Sequence, residues 1–420
     1  MESSVDVNEA LHRVFRHEYG RLVSHLTRVL GPAQVDLAED ALQEALCRAS
    51  VLWPMKGVPD RPSAWLLAVA RNHALDSLRR RATFRRKEAE LIDLTEALSA
   101  TSAVDPGVLG AVVQDDQLRM MFACCDPAIP ADAQVAVLLK VLCGFSAAEI
   151  AQAFLSSVAA VEKRIARGKH ALAASGALAE IGPAEVEARR PGVCQALYLL
   201  FNEGYMSGRS DGIRDEVCFE AMRLTAMLGE RPATDHPMVR ALLALMCFHS
   251  ARLPARRDDQ GHLVLLLDQD RATWDRDLIA QGFAHLQASQ PEQHLSPFHV
   301  EALLSAQHIL APRPEDTDWA ALEALYRKLL EMKPSPVVRL NLAVVIGKGH
   351  GPEAGLQALD AIRDLESYAY LHAARGELLA ELGRVDEARA AWTRAIALCA
   401  NPVEAACLTR RRDRLRRRPG

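Results

Sequence analysis

One stretch of the chain, Arg61–Arg81, repeats its apolar residues at helical spacing and ends in a dense run of arginines. The spacing predicts a helix that buries Trp65, Leu66 and Val69 and exposes its polar side chains. These polar residues are Arg71, Asn72, Asp76, Arg79 and Arg80. An exposed asparagine beside clustered cations suits a helix that lies along a nucleic-acid backbone. An ordinary amphipathic helix with a solvated charge run has the same pattern, so both interpretations stay open here.

The composition of the 420-residue chain favours an all-α fold. Hydrophobic residues make up 50% of the chain and aromatic residues only 5%. Alanine and leucine are abundant, so the chain can build about three domains with sizeable cores but has little material for sheets. The formal net charge is −4, so any affinity for nucleic acid has to be local. The basic residues cluster in 79–87, 163–169 and 410–418.

Cysteine usage and the N-terminal sequence predict where the protein works. The chain has nine cysteines but no C-x-x-C pair, and its cysteines and histidines lack the spacing of metal ligands. We therefore expect a reduced, intracellular protein without a metal site. The acidic N-terminus has no signal-peptide core, and no apolar run reaches the roughly 18 residues of a membrane span. These features predict a cytoplasmic protein with no membrane partner.

Residues 8–88 form the first predicted domain, in which an acidic helix precedes the basic one. The buried seam of the acidic helix is predicted at Leu37, Ala41, Ala45 and Ala49. Another face carries an acidic stripe that consists of Asp36, Asp40, Gln43 and Glu44. A solvated surface usually explains such a stripe, but few cations on the same helix neutralise this one. A loop predicted over 53–60 then leads to the basic helix.

A second helical unit is predicted at 114–176, after a small, polar, flexible linker at 89–113. Ser146 and Glu149 form a capping-box pattern at the start of a short helix. A tight turn at 155–157 and a longer helix follow. The predicted inner residues of the longer helix are Val158, Val161, Ile165, Gly168 and Leu172. This succession is typical of a helix-turn-helix, although a plain helical hairpin has the same pattern.

The outer side of the longer helix is predicted to contact DNA. It consists of Ala160, Lys163 and Arg167, with Arg164 and Lys169 flanking that row. A small residue such as Ala160 permits close approach to the major groove. We expect Lys163 and Arg167 to reach base edges, and Arg164 and Lys169 to contact phosphates.

Residues 190–300 are predicted to form a helical middle domain. Helices are expected over 193–201, 215–228, 237–252 and 275–286. Several polar residues between them resemble catalytic groups, namely Asn202, Glu203, Asp268, Asp270 and Arg271. They fall at predicted helix ends and turns, where such residues cap helices and form ion pairs, and no nucleophile–base pair accompanies them. We therefore expect no enzymatic activity and no cofactor.

Residues 316–408 have the spacing of tetratricopeptide repeats. Small residues fall at Gly376, Ala388 and Ala395, with Trp392 between them and Gly383 at the turn. A weaker copy covers 338–362, and 319–334 matches the second helix of an earlier copy. Such repeats stack on each other, either as a concave surface for an unknown protein or ligand, or as a packing module. Residues 409–420 are expected to be a basic, frayed tail.

The segments DLAEDALQEALCRA and PSAWLLAVARNHALDSLRR resemble region two of bacterial sigma factors of the extracytoplasmic-function (group four) type. The resemblance implies that Asp36, Asp40, Gln43 and Glu44 dock on the β′ clamp helices of RNA polymerase. It also implies that the loop at 54–61 captures a flipped base of the −10 promoter element. The residues that it assigns to −10 binding are Lys56, Arg61, Asn72, Arg79 and Arg80.

The segment 145–172 resembles sigma region four, which implies contact with the polymerase β flap and the −35 promoter element. Two departures, Leu155 at the turn and Glu162 on the recognition helix, leave the −35 sequence preference open. The whole chain resembles sigma factors with a long, tetratricopeptide-containing C-terminal extension, which implies regulation from within the same chain. The function expected is promoter-specific transcription initiation with core RNA polymerase. The alternatives are a helix-turn-helix regulator that acts without polymerase and a tetratricopeptide scaffold.

Overall fold

The computed structural model describes residues 7–85, 116–153, 156–175, 182–205, 213–289, 295–399 and 401–415. The regular structure in these ranges is helical, and the β-type pairing seen there is one isolated antiparallel bridge between Arg257 and Leu263. The all-α prediction is therefore confirmed. The chain divides into two compact units, Met1–Leu200 and Phe201–Gly420. Within the described ranges, no helix is both long and apolar enough to cross a bilayer.

The first unit contains seven helices within its described residues and most of an eighth. They are α1 (Val7–Leu30), α2 (Val35–Lys56), α3 (Pro62–Arg85), α4 (116–124), α5 (Ala131–Cys143), α6 (Ala147–Ala153), α7 (Val158–Ser175) and α8 (Pro183–Tyr205). A short 3-10 turn, Pro32–Gln34, joins α1 to α2. The predicted linker at 89–113 lies outside the described residues.

Helices α1, α2 and α3 pack together as the first module. The predicted seam of α2 is confirmed, because Leu37, Ala41, Ala45 and Ala49 are all buried. On α3, Leu66 is buried as predicted, whereas Trp65 and Val69 are only half-buried.

The loop predicted over 53–60 is shorter in the structure, because α2 continues to Lys56 with Pro54 inside its last turns. Trp53 is buried, which holds the chain in helical register past the proline. The helix ends where Gly57 adopts a positive φ of 82° and its N–H donates to the Trp53 carbonyl over 2.9 Å.

Helices α4 to α7 form the second module. The predicted capping box is confirmed, since the Glu149 carboxylate accepts from Ser146 N–H (2.7 Å) and Ser146 Oγ accepts from Glu149 N–H (3.2 Å). Gly168 lets α7 approach α5 closely, because a Cβ there would lie 2.3 Å from Val137 Cγ2. The prediction for Val158 is wrong: this first residue of α7 is 44% exposed. Leu155, in the predicted turn, lies outside the described residues.

Helix α8 begins well before the predicted helix at 193–201 and runs through Pro191. An interior proline removes one backbone hydrogen bond, so packing on both sides has to hold the helix together. Val186, Val193 and Leu197 are buried, and the Arg189 guanidinium lies 2.9 Å from Asp126 Oδ2 in the first unit. The first compact unit accordingly includes the helix as far as Leu200.

The second unit contains ten further helices within its described residues. They are α9 (Ile213–Gly229), α10 (Pro237–Ser250), α11 (Arg276–Ala288), α12 (Pro297–Leu310), α13 (Trp319–Met332), α14 (Pro336–His350), α15 (Pro352–Asp360), α16 (Ala369–Glu381), α17 (Val385–Leu398) and α18 (Pro402–Arg414). Between α10 and α11 the chain forms three 3-10 turns, at Leu253–Arg256, Leu266–Asp268 and Arg271–Thr273.

Consecutive helices from α12 to α18 pack side by side, as expected for stacked tetratricopeptide-like repeats. Gly376 on α16 accommodates Trp392 on α17, since a Cβ at residue 376 would lie 2.7 Å from the indole ring. The start of the predicted frayed tail is instead helical. There Arg411 pairs with Glu377 (2.5 Å) and Asp268 (2.6 Å), so ion pairs that are distant in sequence hold the end of α18.

Candidate nucleic-acid interface

The acidic stripe of α2 lies on one helical face, as its spacing of four, three and one residues requires. Asp36, Asp40 and Gln43 are exposed, and Glu44 is half-buried. Glu44 Oε1 accepts a hydrogen bond from Arg48 Nε over 2.8 Å, and this bond lowers the pKa of the Glu44 carboxyl. The hydrogen bond from Arg48 therefore keeps the Glu44 carboxyl ionised at neutral pH.

The residues predicted to bind the −10 element are exposed on α3 and beside the loop that precedes it. They are Lys56, Arg61, Asn72, Arg79 and Arg80. Lys56 ends α2 and Arg61 immediately precedes α3, so the two cations border the short loop 57–61. Arg80 Nε donates to the Asp76 carbonyl over 3.2 Å, which keeps this guanidinium close to its own helix. The arrangement suits a backbone that passes along α3.

Two tryptophans fix the geometry of that loop. Trp53 on α2 is buried, and its ring meets Trp65 on α3 edge-on, with centroids 5.6 Å apart and an interplanar angle of 63°. Edge-to-face contact is a favoured geometry for aromatic pairs. Trp65 therefore belongs to the packing between α2 and α3, and the pair clamps the two ends of the loop.

On α7, Lys163 is exposed, whereas the two neighbouring arginines share one carboxylate at the start of α5. Arg164 Nε lies 3.3 Å from Asp132 Oδ2, and Arg167 Nη2 lies 2.8 Å from the same oxygen. These are surface ion pairs, which cost little to open. Both guanidiniums can consequently exchange Asp132 for a phosphate.

Lys169, the last of the predicted −35 residues, contacts α2. Its ammonium lies 2.6 Å from Asp36 Oδ1 and is also hydrogen-bonded to Glu39, and its side chain is only 12% exposed. Burial alone lowers the pKa of Lys169, but Glu39 and Asp36 outweigh it and raise the pKa above its usual value. Contact between Lys169 and a phosphate therefore requires these ion pairs to open.

Three buried groups, Glu39, Asp116 and His25, join the two modules, and the sequence did not predict them. Glu39, between the stripe residues, is buried beside Lys169 and Lys140, and burial raises the pKa of its carboxyl. Asp116 Oδ2 lies 2.7 Å from His25 Nδ1 on α1, and Asp116 Oδ1 lies 2.6 Å from Arg28 Nε. Sequence spacing gave no signal for these pairs, because each joins segments far apart in the chain.

The backbones of the two modules also meet directly. A Cβ on Gly20 of α1 would lie 2.0 Å from the Leu142 carbonyl oxygen of α5. A groove beside this junction is lined by residues of the Pro32–Gln34 turn, α2, α5 and α7, including Asp36, Lys140 and Lys169. The first unit thus packs its acidic helix against its helix-turn-helix.

Four family models match successive parts of the chain. Sigma-70 region 2 matches residues 14–84, which cover most of α1 to α3, and Sigma-70, region 4, matches residues 120–172, which cover most of α4 to α7. A family of unknown function matches residues 189–290, and a tetratricopeptide repeat-like domain matches residues 263–416. The two modules and the repeat helices described above are therefore recognised independently of their geometry.

Region 2 and region 4 modules together define a transcription initiation factor of the sigma class. The chain belongs to the sigma-70 family, as a sigma factor of the extracytoplasmic-function type with a helical, tetratricopeptide-containing C-terminal extension. It is 41% identical over 391 residues to an uncharacterized protein of Rhizobium meliloti (strain 1021), a match that covers 92% of this chain and 91% of the relative. No solved structure matches the chain.

Proposed function

We propose that the chain binds core RNA polymerase through the acidic face of α2 and directs it to particular promoters through α3 and α7. The observation that carries the proposal is the exposed stripe of Asp36, Asp40, Gln43 and Glu44 next to an exposed cationic helix. Carboxylates repel phosphate, so the acidic face suits a basic protein surface, here the β′ clamp helices. The cations of α3 and α7 suit promoter DNA.

At the −10 element, we propose that the loop 57–61 receives an unstacked base while the neighbouring cations hold the separated strand. Extruding a base costs a few kcal/mol, which phosphate contacts from Lys56, Arg61 and the end of α3 offset. At the −35 element, Lys163 and Arg167 would reach base edges, with Arg164 and Lys169 on phosphates. The β flap is the proposed polymerase contact of this second module.

We further propose that the C-terminal extension regulates the sigma factor from within the same chain. Stacked helix pairs form extended surfaces that bind protein segments or ligands. One open groove on α17 and α18 carries both charges, with Asp386, Arg389, Arg394 and Arg412 among its lining residues. This groove is therefore suited to a partner that carries both positive and negative charges.

Capture of core polymerase tests the central proposal. Asp40→Arg combined with Glu44→Arg reverses two charges on the exposed face of α2 and should abolish capture, because cations would then face the basic surface of the partner. Asp364→Arg combined with Glu366→Arg makes the same charge change at exposed positions of the second unit and should leave capture unchanged. Normal capture by the α2 variant would contradict the interface.

Transcription from a cognate promoter separates the sigma factor from a regulator that needs no polymerase. Lys163→Ala with Arg167→Ala should lower transcript yield while core capture persists, since α7 would lose its contacts to bases. Specific promoter binding by the chain alone, unchanged by added core polymerase, would favour the regulator instead.

A further inference from the structure

The second unit holds a cluster of three arginines, two of them buried, where the end of α8, α10, α12 and the three 3-10 turns meet. Arg252 follows α10, Arg256 ends the first 3-10 turn, and Arg271 begins the third. Arg252 and Arg271 are each only 9% exposed. His249 and His308 lie close enough to these guanidiniums for the positive charges to help lower the pKa values of both imidazoles.

Carboxylates do not neutralise this cluster. In the part of the chain that the structure describes, no Asp or Glu is ion-paired to any of the three arginines. The nearby acids are engaged elsewhere: Asp316 pairs with Arg313 (2.8 Å), and Asp268 pairs with Arg411. The charges of Glu315 and Asp316 act on Arg271 only at a distance.

Backbone carbonyls at helix ends supply part of the compensation. Arg256 donates to the Tyr205 carbonyl at the end of α8, and Arg271 donates to the His308 carbonyl over 2.7 Å and to the Ala311 carbonyl. Such ends carry about half a negative charge each. Among the described residues, the Arg252 guanidinium makes one long hydrogen bond of 3.4 Å, from Nε to Gln269 Oε1. The cluster therefore keeps an excess of positive charge.

The cluster also contains several buried polar atoms with no hydrogen-bond partner among the described residues. They are Tyr205 Oη, His249 Nδ1, His308 Nδ1, and Arg271 Nε and Nη2. Leaving such atoms unpaired costs roughly 1 to 3 kcal/mol for each, so several of them in one place favour the binding of a polar group there. Neighbouring side chains hold the Tyr205 ring in place. The ring packs edge-on against His249, with centroids 4.8 Å apart, and the Arg256 guanidinium carbon lies 3.9 Å from the Tyr205 ring centroid.

We propose that this cluster is a binding site for a small molecule that carries a phosphate or carboxylate group. A guanidinium matches two oxygens of either group with a fork of N–H donors. Arg252 and Arg271 supply the charge, Tyr205 Oη supplies a further donor, and the neutral imidazole of His249 can present a proton at Nδ1 because its Nε2 faces Ser305 Oγ at 3.3 Å. The site belongs to the C-terminal unit and does not depend on the proposed sigma function.

Ligand-induced stabilisation of the full-length chain tests the site, with inorganic phosphate and succinate as probes and sodium chloride at matched ionic strength as the baseline. A ligand that binds only the folded state raises the unfolding midpoint. Calorimetric titration then gives the dissociation constant. We expect at least one probe to stabilise the chain beyond the salt baseline.

Arg252→Met should raise the dissociation constant of the effective probe about tenfold or more, as the loss of a charge-assisted pair implies. Tyr205→Phe, which removes only one unpartnered hydroxyl, should leave the unliganded protein at least as stable and weaken binding several-fold. Arg339→Met, which removes an exposed arginine of the same unit, is the matched control and should bind normally.

The proposal is overturned if neither probe stabilises the chain beyond the salt baseline. It is equally overturned if Arg252→Met and Tyr205→Phe bind the probe as tightly as Arg339→Met, because binding would then lie elsewhere on the surface. If Arg252→Met does not fold, the Tyr205→Phe titration decides alone.

Discussion

Lys169 Nζ on α7 lies 2.6 Å from Asp36 Oδ1 at the start of α2, although the two residues are 133 positions apart. One residue proposed to contact promoter phosphate is thus bound to one residue proposed to contact polymerase. Glu39 lies beneath them and completes the ion pair. Lys169 and Asp36 therefore cannot contact phosphate and polymerase while this ion pair stays closed.

This contact should influence the affinity for core polymerase. Lys169→Met frees Asp36, so the variant should bind core polymerase a few-fold more tightly than the native chain, a change of about 1 kcal/mol or less for an exposed carboxylate. Lys163→Met removes an exposed cation of the same helix that does not contact α2 and serves as the control. Titration of fluorescent core polymerase measures both. Weaker binding by Lys169→Met than by Lys163→Met would contradict the competition.

The same lysine should stabilise the first unit through Glu39. Without Lys169, the buried Glu39 keeps only Lys140, whose ammonium lies 3.9 Å away, so most of its charge is left uncompensated, which costs about 3 kcal/mol. Lys169→Ala should therefore lower the free energy of unfolding by about that amount. Urea denaturation, followed by a probe that reports on the first unit, measures the change. Adding Glu39→Gln should recover much of the loss, because the amide needs no counter-charge. Asp36→Asn alone should cost under about 1 kcal/mol, since Asp36 is exposed.

The elements themselves were largely predictable from local patterns. Periodicity placed Leu37, Ala41, Ala45 and Ala49 on the buried side of α2, and the Ser146–Glu149 spacing located the start of α6. These predictions work because an amphipathic helix and its cap are decided within a few residues.

Where local sequence patterns did not predict the structure, tertiary packing determined it. Helices α2 and α8 run through Pro54 and Pro191, where propensity favours a break. The sequence shows that the segment 36–44 is rich in acidic residues. It does not show that Glu39 is the carboxylate that is buried against Lys169. The arginine cluster in the second unit could not be predicted either. In the sequence, Arg252 and Arg271 resemble ordinary helix-end residues, and only the folded chain brings their distant segments together.

The repeat helices depend on a close approach at Gly376. A Cβ at this position would lie 2.7 Å from the Trp392 ring, so Gly376→Ala should destabilise the second unit by about 1 to 3 kcal/mol through overpacking. Combining it with Trp392→Leu should cost less than the sum of the two single changes, because the smaller side chain leaves room for the new methyl group. Thermal unfolding of the four proteins completes the cycle, and strict additivity would contradict the contact.

Acid should loosen the second unit through His249 and His308, the two histidines that lie beside the arginine cluster. Burial, together with Arg252, Arg256 and His308, lowers the pKa of His249 to about 3, and burial with Arg252 and Arg271 lowers that of His308 to about 4. The unfolded imidazoles titrate near pH 6.5, so between these values the unfolded state binds more protons. The stabilising contribution is therefore complete above about pH 6.5 and is lost as the pH falls towards 4 and 3.

The slope reaches about 1.4 kcal/mol per pH unit for each histidine between pH 6 and 4. Hydrogen exchange of the α10 amides, corrected for intrinsic rates, measures it on the full-length chain. His249→Asn should remove one histidine's share of the slope, and adding His308→Gln should remove a second share, whereas His285 and His299, whose pKa values burial also lowers, should keep theirs. If neither substitution reduced the slope of the native protein, other groups would have to bind these protons. The two imidazoles would then have to be charged in the folded protein, next to three arginines that no carboxylate among the described residues neutralises.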